Sequence, residues 1–227
     1  MATKVNPKDK EAVRAENIEN TVSKTEQFYN ENKKTIWGVL IGIVVVGLAI
    51  LAFSKFVYQP KCAEAQEMAF PAENNFQNGE FELALNGDGN ILGFSQIIDN
   101  YGSKAGKSAF LYAGICQLQL GNYQEALSYL NKYNVKDAIL GARAEACKGD
   151  AYVGLENYNS AVKCFKAAAQ KNGDNLLAAT YLLKAGLAYE ALGQKANALE
   201  CYETIQDRYS QSMEAYEIAK YIARVSE

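Results

Sequence analysis

Three segments of this chain, 113–127, 148–162 and 185–199, align with one another without a gap, and no other feature restricts its fold as much. Gly114, Gly149 and Gly186 recur at steps of 35 and 37 residues, and Ala126, Ala161 and Ala198 recur at the same steps. Each slot has a physical use. A glycine on a first helix lets that helix touch its partner closely. Leu120-Gly121, Leu155-Glu156 and Leu192-Gly193 mark a turn, where glycine reaches positive φ at little cost. The alanines let a returning helix cross tightly. Leu130, Phe165 and Tyr202, one turn further on, fill the space between successive hairpins. The pattern predicts an all-α chain of stacked helical hairpins.

These residues resemble tetratricopeptide repeats, which implies a right-handed helical solenoid. Repeats are placed at about 107–135, 142–171 and 179–207 of a domain covering 62–227. Glu156 in the second turn, and Lys195 where Tyr123 and Tyr158 stand in the other copies, depart from the pattern. A degenerate unit over 62–101 precedes the three. Its stretch 76–85 copies the turn and the start of a returning helix, then breaks at Asn86-Gly87-Asp88-Gly89-Asn90. A helical pattern resumes over 91–101 through Ile91, Leu92, Phe94, Ile97 and Ile98. A capping helix over 212–225 is expected to put Met213, Tyr216, Ala219, Tyr221 and Ile222 on one broad face.

Between residues 35 and 54 there is no charge, and the run from Ile36 to Phe53 is almost wholly apolar. A helix needs about 20 such residues to cross a bilayer core. Trp37, Phe56 and Tyr58 stand at the two ends as interfacial aromatics do. Lys33, Lys34 and Lys55 can snorkel to the headgroups. The leader is long and charged and no small-x-small site follows the run, which favours an uncleaved anchor over a signal peptide. Lys24, Lys33 and Lys34 before the span outnumber Lys55 and Lys61 after it. That bias favours a cytoplasmic tail at 1–34, a span at 35–54, a linker at 55–61, and repeats on the far side. Gly38 and Gly42 form one GxxxG pair, a face that admits another helix closely. The leader's apolar residues Val13, Ile18, Val22 and Phe28 follow a helical stripe only loosely, so a solvated tail is expected there in preference to a docking helix.

Composition argues against several chemistries. The net charge is −3 with Lys and Arg spread along the chain, which gives no footprint for nucleic acid. Histidine is absent, removing the commonest general base and metal ligand. Cys62, Cys116, Cys147, Cys164 and Cys201 form no CxxC pair and read as apolar fillers. The 86–90 run lacks the spaced oxygen donors of a calcium loop and reads as a turn. Gly106-Lys107-Ser108 ends like a phosphate-binding loop, but the upstream glycine falls out of register and no strand precedes it. No enzyme, metal, cofactor or small-molecule substrate is expected.

In tetratricopeptide folds the first helix of each hairpin lines the concave surface. Carried onto this chain, the resemblance gives inward stripes Leu111, Ile115 and Leu118; Ala146, Asp150 and Val153; and Leu183, Leu187 and Glu190, each at i, i+4, i+7 spacing. The face is mostly apolar, with Asp150 and Glu190 as its charges. It lacks the Lys/Asn cluster that some family members use on a peptide carboxylate. It is read either as a groove for apolar or helical segments, the chain's own last helix among them, or as packing within a closed superhelix.

A short tail, one span and a solenoid together resemble the YfgM-type ancillary subunit of the bacterial Sec translocon. In 84–90 with Gly93-Phe94, and in Lys220-Tyr221-Ile222-Ala223-Arg224, the chain is similar to Bacteroidetes members of that family. The resemblance implies residence in the inner membrane, a periplasmic repeat domain, and partnership with SecYEG and a PpiD-like chaperone. An import-receptor-like or assembly adaptor with cytoplasmic repeats is the alternative reading.

Overall fold

The computed structural model describes residues 7–226, with side chains for Glu26 and from Phe28 to Ser226. Val13, Ile18, Val22 and Lys24 lie outside the residues whose side chains are described. The chain divides into two compact units, Met1–Gln59 and Pro60–Glu227.

The first unit is α1 (Pro7–Phe53), followed by a π-helical turn at Ser54–Tyr58. Its most apolar 18-residue window has a mean hydropathy of 2.8, and none of that window is buried. Large apolar side chains from Val39 to Phe53 are between 48 % exposed, at Leu40, and 66 % exposed, at Leu51. By length and composition this helix can cross a membrane, where such side chains meet lipid and the helix satisfies its own backbone. Near the start of the apolar run the Trp37 indole N–H donates to the Tyr29 hydroxyl at 3.2 Å. Gly38, Gly42 and Gly47 face open space.

The second unit is a chain of helices, and no strand forms among the described residues. It opens with α2 (Gln59–Gln77), α3 (Phe81–Asn86) and α4 (Phe94–Tyr101). Three hairpins follow: α5 (Gly106–Gln119) with α6 (Tyr123–Leu130), α7 (Leu140–Gly154) with α8 (Tyr158–Asn172), and α9 (Leu177–Ala191) with α10 (Lys195–Arg208). A 3₁₀ turn at Glu214–Tyr216 leads into α11 (Ile218–Ser226). Residues 55–61, expected as a linker, are helical.

The aligned glycines sit where two helices meet. A Cβ on Gly114 would lie 2.6 Å from Leu130 Cγ, one on Gly149 2.5 Å from Phe165 Cε1, and one on Gly186 2.2 Å from Tyr202 Cε1. In each hairpin the large residue of the second helix occupies the place of the missing side chain. Ala126, Ala161 and Ala198 are fully buried at the same crossings.

Four turns share one geometry. Gly79, Gly121, Glu156 and Gly193 have φ of +80°, +80°, +57° and +70°. The next residue's N–H reaches back five positions in each: Glu80 to the Asn75 carbonyl, Asn122 to Gln117, Asn157 to Tyr152 and Gln194 to Tyr189, at 2.8–2.9 Å. This is the six-to-one bond that closes a helix on a left-handed residue. The degenerate unit therefore makes the same turn as the three regular ones. Its returning helix then stops at Asn86, as the glycine run requires. Asp88 accepts bonds from the Asn90 and Ile91 N–H groups at 2.9 and 2.8 Å. Gly87 bridges to Leu92, so helix resumes at Phe94 and not at Ile91.

Buried residues form three clusters along the unit. The first joins α2, α3, α4 and α5 through Phe94, Ile97 and Ile98. Phe76 lies against Phe81, Phe94 and Tyr112 at ring separations of 5.7, 6.5 and 4.9 Å. The second lies between the first two hairpins, and the third runs from α7 to α11. The C-terminal segment corrects one expectation. Met213 and Tyr216 are 85 % and 84 % exposed, because Met213 lies in a turn and Tyr216 in a 3₁₀ segment ahead of α11, and Ala219 on α11 is exposed as well. The inward face of α11 is instead Ile218, Tyr221, Ile222 and Val225, at i, i+3, i+4, i+7.

Two substitutions check this architecture with opposite signs. Gly149→Ala should lower stability by about 1–3 kcal/mol, since Phe165 must leave its rotamer or the helices must part. Glu156→Gly should raise it by about 1 kcal/mol by relieving a non-glycine residue held at positive φ. Thermal unfolding of the full chain in detergent reads both.

Candidate functional site

The first helices α5, α7 and α9 carry the nine stripe residues, and the structure divides them. Leu111, Ile115 and Ala146 are only 3 %, 6 % and 4 % exposed and belong to the core. Leu118, Asp150, Leu183 and Glu190 are half-buried, and Val153 and Leu187 are exposed. The cause lies in the facing helices. The buried cluster around Leu111 and Ile115 includes the small α7 residues Ala144, Cys147 and Ala151, which let the helices close together. Between α7 and α9 a charged pair stands instead. Lys184 Nζ donates to both Asp150 oxygens at 2.8 Å and lies 5.8 Å from the centre of the Phe165 ring.

A cavity of about 180 Å³ lies at this place, lined by Asp150, Val153, Tyr158, Phe165, Lys184, Leu187 and Ala188. It brings together three of the stripe residues: Asp150, Val153 and Leu187. Sequence reasoning missed Lys184, although a signal for it was present. Acid and base recur 34 residues apart, close to the repeat steps of 35 and 37, in Asp150/Lys184, Asp174/Arg208 and Glu190/Arg224. Each is an ion pair, at 2.8, 2.9 and 2.7 Å respectively. All three are partly exposed, so each contributes no more than about 1 kcal/mol to stability. Their larger effect is on what the surface offers to a ligand.

Glu190 has a second partner. The Tyr202 ring is fully buried against Gly186, and its hydroxyl donates to the Glu190 carboxylate. Burial by itself would raise the Glu190 pKa. The hydrogen bonds from Arg224 and Tyr202, with the charges of Arg224 and Lys195, outweigh it and hold the carboxyl below its usual 4.5. Burial first, then the bond to Glu190, pushes the Tyr202 phenol well above its ordinary range. The three buried thiols are not poised for chemistry. Burial pushes Cys116 up to about 12, and Cys147 and Cys201 each up to about 11, so all three stay protonated near neutral pH.

A second surface feature also escaped the sequence reading. Ile139 and Leu140, Leu176 and Leu177, then Met213 and Tyr216 are all exposed at the entrances of α7, α9 and the C-terminal segment. The loops holding them are fixed by side-chain bonds. Asp137 accepts from the Ile139 and Leu140 N–H groups, Asn175 from Leu177, and Ser212 from Ala215.

Two tetratricopeptide repeat models match the chain, one over residues 108–136 and one over 148–212. The chain carries tetratricopeptide repeats. Two crystal structures of a protein named MamA share the fold. One is 18 % identical with a TM-score of 0.56 and covers 73 % of this chain and 82 % of its own. The other is 19 % identical with a TM-score of 0.51, covering 68 % and 92 %. No curated protein matches the sequence. Tetratricopeptide repeats mediate protein–protein interaction.

The depressed Glu190 pKa carries a pH dependence. The unfolded carboxyl binds protons more readily than the folded one, so this stabilisation is present above pH 4.5 and is lost as pH falls through the lower folded value. In Glu190→Gln the unfolding midpoint should be lower near neutral pH, and its decline on acidification below that window shallower than in the unsubstituted chain. Thermal scans between neutral and acidic pH measure both slopes.

Proposed function

We propose that the chain is a non-enzymatic, membrane-anchored scaffold that holds a protein partner against the face of α7 and α9, with α5 framing it. The cavity between Val153 and Leu187 carries this reading. At about 180 Å³ it is smaller than the roughly 300–1,000 Å³ typical of small-molecule sites. It suits one apolar side chain of a partner, and burying such a side chain contributes roughly 1.5–3 kcal/mol. Asp150, Val153, Leu183, Leu187 and Glu190 form the accessible part of the face. Leu111, Ile115 and Ala146 shape it from beneath, and Leu118 lies at its edge.

The finer assignment rests on the resemblance to the YfgM-type translocon subunit together with the apolar span in α1. On that reading the span sits in the inner membrane, the N-terminus is cytoplasmic and the repeats are periplasmic. The partners are SecYEG and a PpiD-like chaperone, and the clients are exported proteins. The lysine excess at Lys24, Lys33 and Lys34 supports the orientation.

Two measurements test the proposal. A cysteine placed at Ser103 in a cysteine-free background should react with an impermeant maleimide in intact spheroplasts, and reaction only after lysis would reverse the orientation. Cross-linking in membranes should recover the SecY channel or the anchored chaperone with the unsubstituted chain. Leu187→Asp should reduce that recovery at least about tenfold, while Leu177→Asp, on the exposed loop row, leaves it intact. Loss through Leu177→Asp alone would move the interface to that row.

A further inference from the structure

Ile139, Leu176 and Met213 recur at equal steps of 37 residues, and each occupies the N-cap position of the helical element that follows it. That position ordinarily takes Ser, Thr, Asp or Asn, because a side-chain oxygen there accepts from the helix's first free N–H groups. In this chain the capping oxygen comes from one or two residues earlier: Asp137 for Ile139 and Leu140, Asn175 for Leu177, and Ser212 for Ala215. The apolar side chains so released are 52 %, 48 % and 85 % exposed, and Leu140, Leu177 and Tyr216 close after them are exposed as well. Neither capping nor core packing accounts for them. The three loops are also tied to one another. Asn172 Nδ2 donates to the Ala138 carbonyl at 3.0 Å, the Tyr209 hydroxyl to the Gly173 carbonyl at 2.7 Å, and the Thr180 hydroxyl to Glu214 at 2.6 Å. The row therefore lies along one braced edge of the second unit.

We propose that this edge is a membrane contact, with the three apolar tips inserted into the interfacial region of the bilayer that α1 crosses. The proposal rests on the anchor part of the reading above and is independent of the α7–α9 face. Six residues, 54–59, join the end of α1 at Phe53 to the second unit at Pro60. Even fully extended they reach only about 20 Å, so a bilayer held by α1 is at high effective concentration for the row. The form of the row fits lipid better than protein. Protein interfaces seat their anchors in well-packed pockets, whereas these side chains project from loop tips. Interfacial insertion asks for apolar groups that reach about 5–10 Å into the headgroup and acyl boundary. It also asks that backbone donors be bonded before they leave water, which Asp137, Asn175 and Ser212 achieve at the tips. Tyr216 adds an aromatic ring with a polar end, the kind of side chain that settles at headgroup depth. What is bound is acyl chain, and no headgroup charge is required of the lipid.

The test uses the full chain, one copy per nanodisc, in zwitterionic phosphatidylcholine, with tryptophan as the depth probe. The chain has a single tryptophan, Trp37 at the start of the span, and its quenching by brominated lipid reports whether α1 is inserted. In a Trp37→Phe background, Leu177→Trp should be quenched more than about twofold by lipid brominated near the headgroup end of its acyl chains, and less by lipid brominated near their tips. Asn159→Trp is the control. It stands beyond the far end of α7, whose 15 residues span about 22 Å, and should not be quenched. Ile139→Ser, Leu176→Ser and Met213→Ser together should return the Leu177→Trp emission to that of the control. Because Ser suits the N-cap better, this triple variant should unfold in detergent no earlier than its parent. Leu177→Trp quenched no more than Asn159→Trp, while Trp37 is quenched, overturns the inference and leaves the anchor in place. A triple variant that unfolds earlier also overturns it, since the row would then be holding the fold. An unquenched Trp37 removes the anchor reading itself, and the inference with it.

Discussion

One contact is made three times in this molecule, and the remaining packing depends on it. A glycine on the first helix of a hairpin meets a large side chain 16 residues later on the second: Gly114 with Leu130, Gly149 with Phe165, Gly186 with Tyr202. Because a Cβ at these glycines would lie 2.2–2.6 Å from the large side chain, even a methyl group would make that side chain leave its rotamer or force the helices apart. Close-packed interiors transmit such a change to their neighbours and do not absorb it. The helix separation set by these pairs fixes where the next hairpin can sit, and so where residues 34 apart come into reach of each other.

The third copy of the contact has an added role. Tyr202 fills the glycine gap with its ring, as Leu130 and Phe165 do, but its hydroxyl continues to Glu190 on the face above. A buried phenol needs a hydrogen-bond partner, and here that partner is also the acceptor for Arg224. Core packing, the electrostatics of the face and the seating of α11 are joined at one carboxylate. The second hairpin makes the comparable link differently, with Lys184 over the Phe165 ring and bonded to Asp150. Ring and cation replace ring and hydroxyl.

The likeness to MamA at under a fifth identity is a likeness of fold. A repeat solenoid needs a few small and large positions at fixed spacing, and leaves most of its surface free to vary. The fold therefore says little about the partner, and the surface residues must say it. In this chain part of that message lies in the charges. Acid and base are matched across successive repeats, so the face combines apolar area with polar groups that are already satisfied.

How far the sequence reached can be seen in particular residues. Periodicity alone located the hairpins, the glycine–large pairs and the common turn, because a close helix crossing and a left-handed turn each require a particular residue type at a particular step. It located the break at 86–90 for the same reason, and the length of the uncharged run located the part of α1 that is long and apolar enough to cross a bilayer. The tertiary structure decided which stripe residues are surface. Leu111 and Ile115 have the same spacing as Asp150 and Leu187 on their helices. The first two are buried because α7 turns small side chains towards them, and Leu187 stays open because an ion pair occupies the gap. Helical spacing specifies a face, but what covers that face depends on side chains one repeat away. That is why the Asp150–Lys184 and Glu190–Arg224 pairs emerged only when the hairpins were stacked.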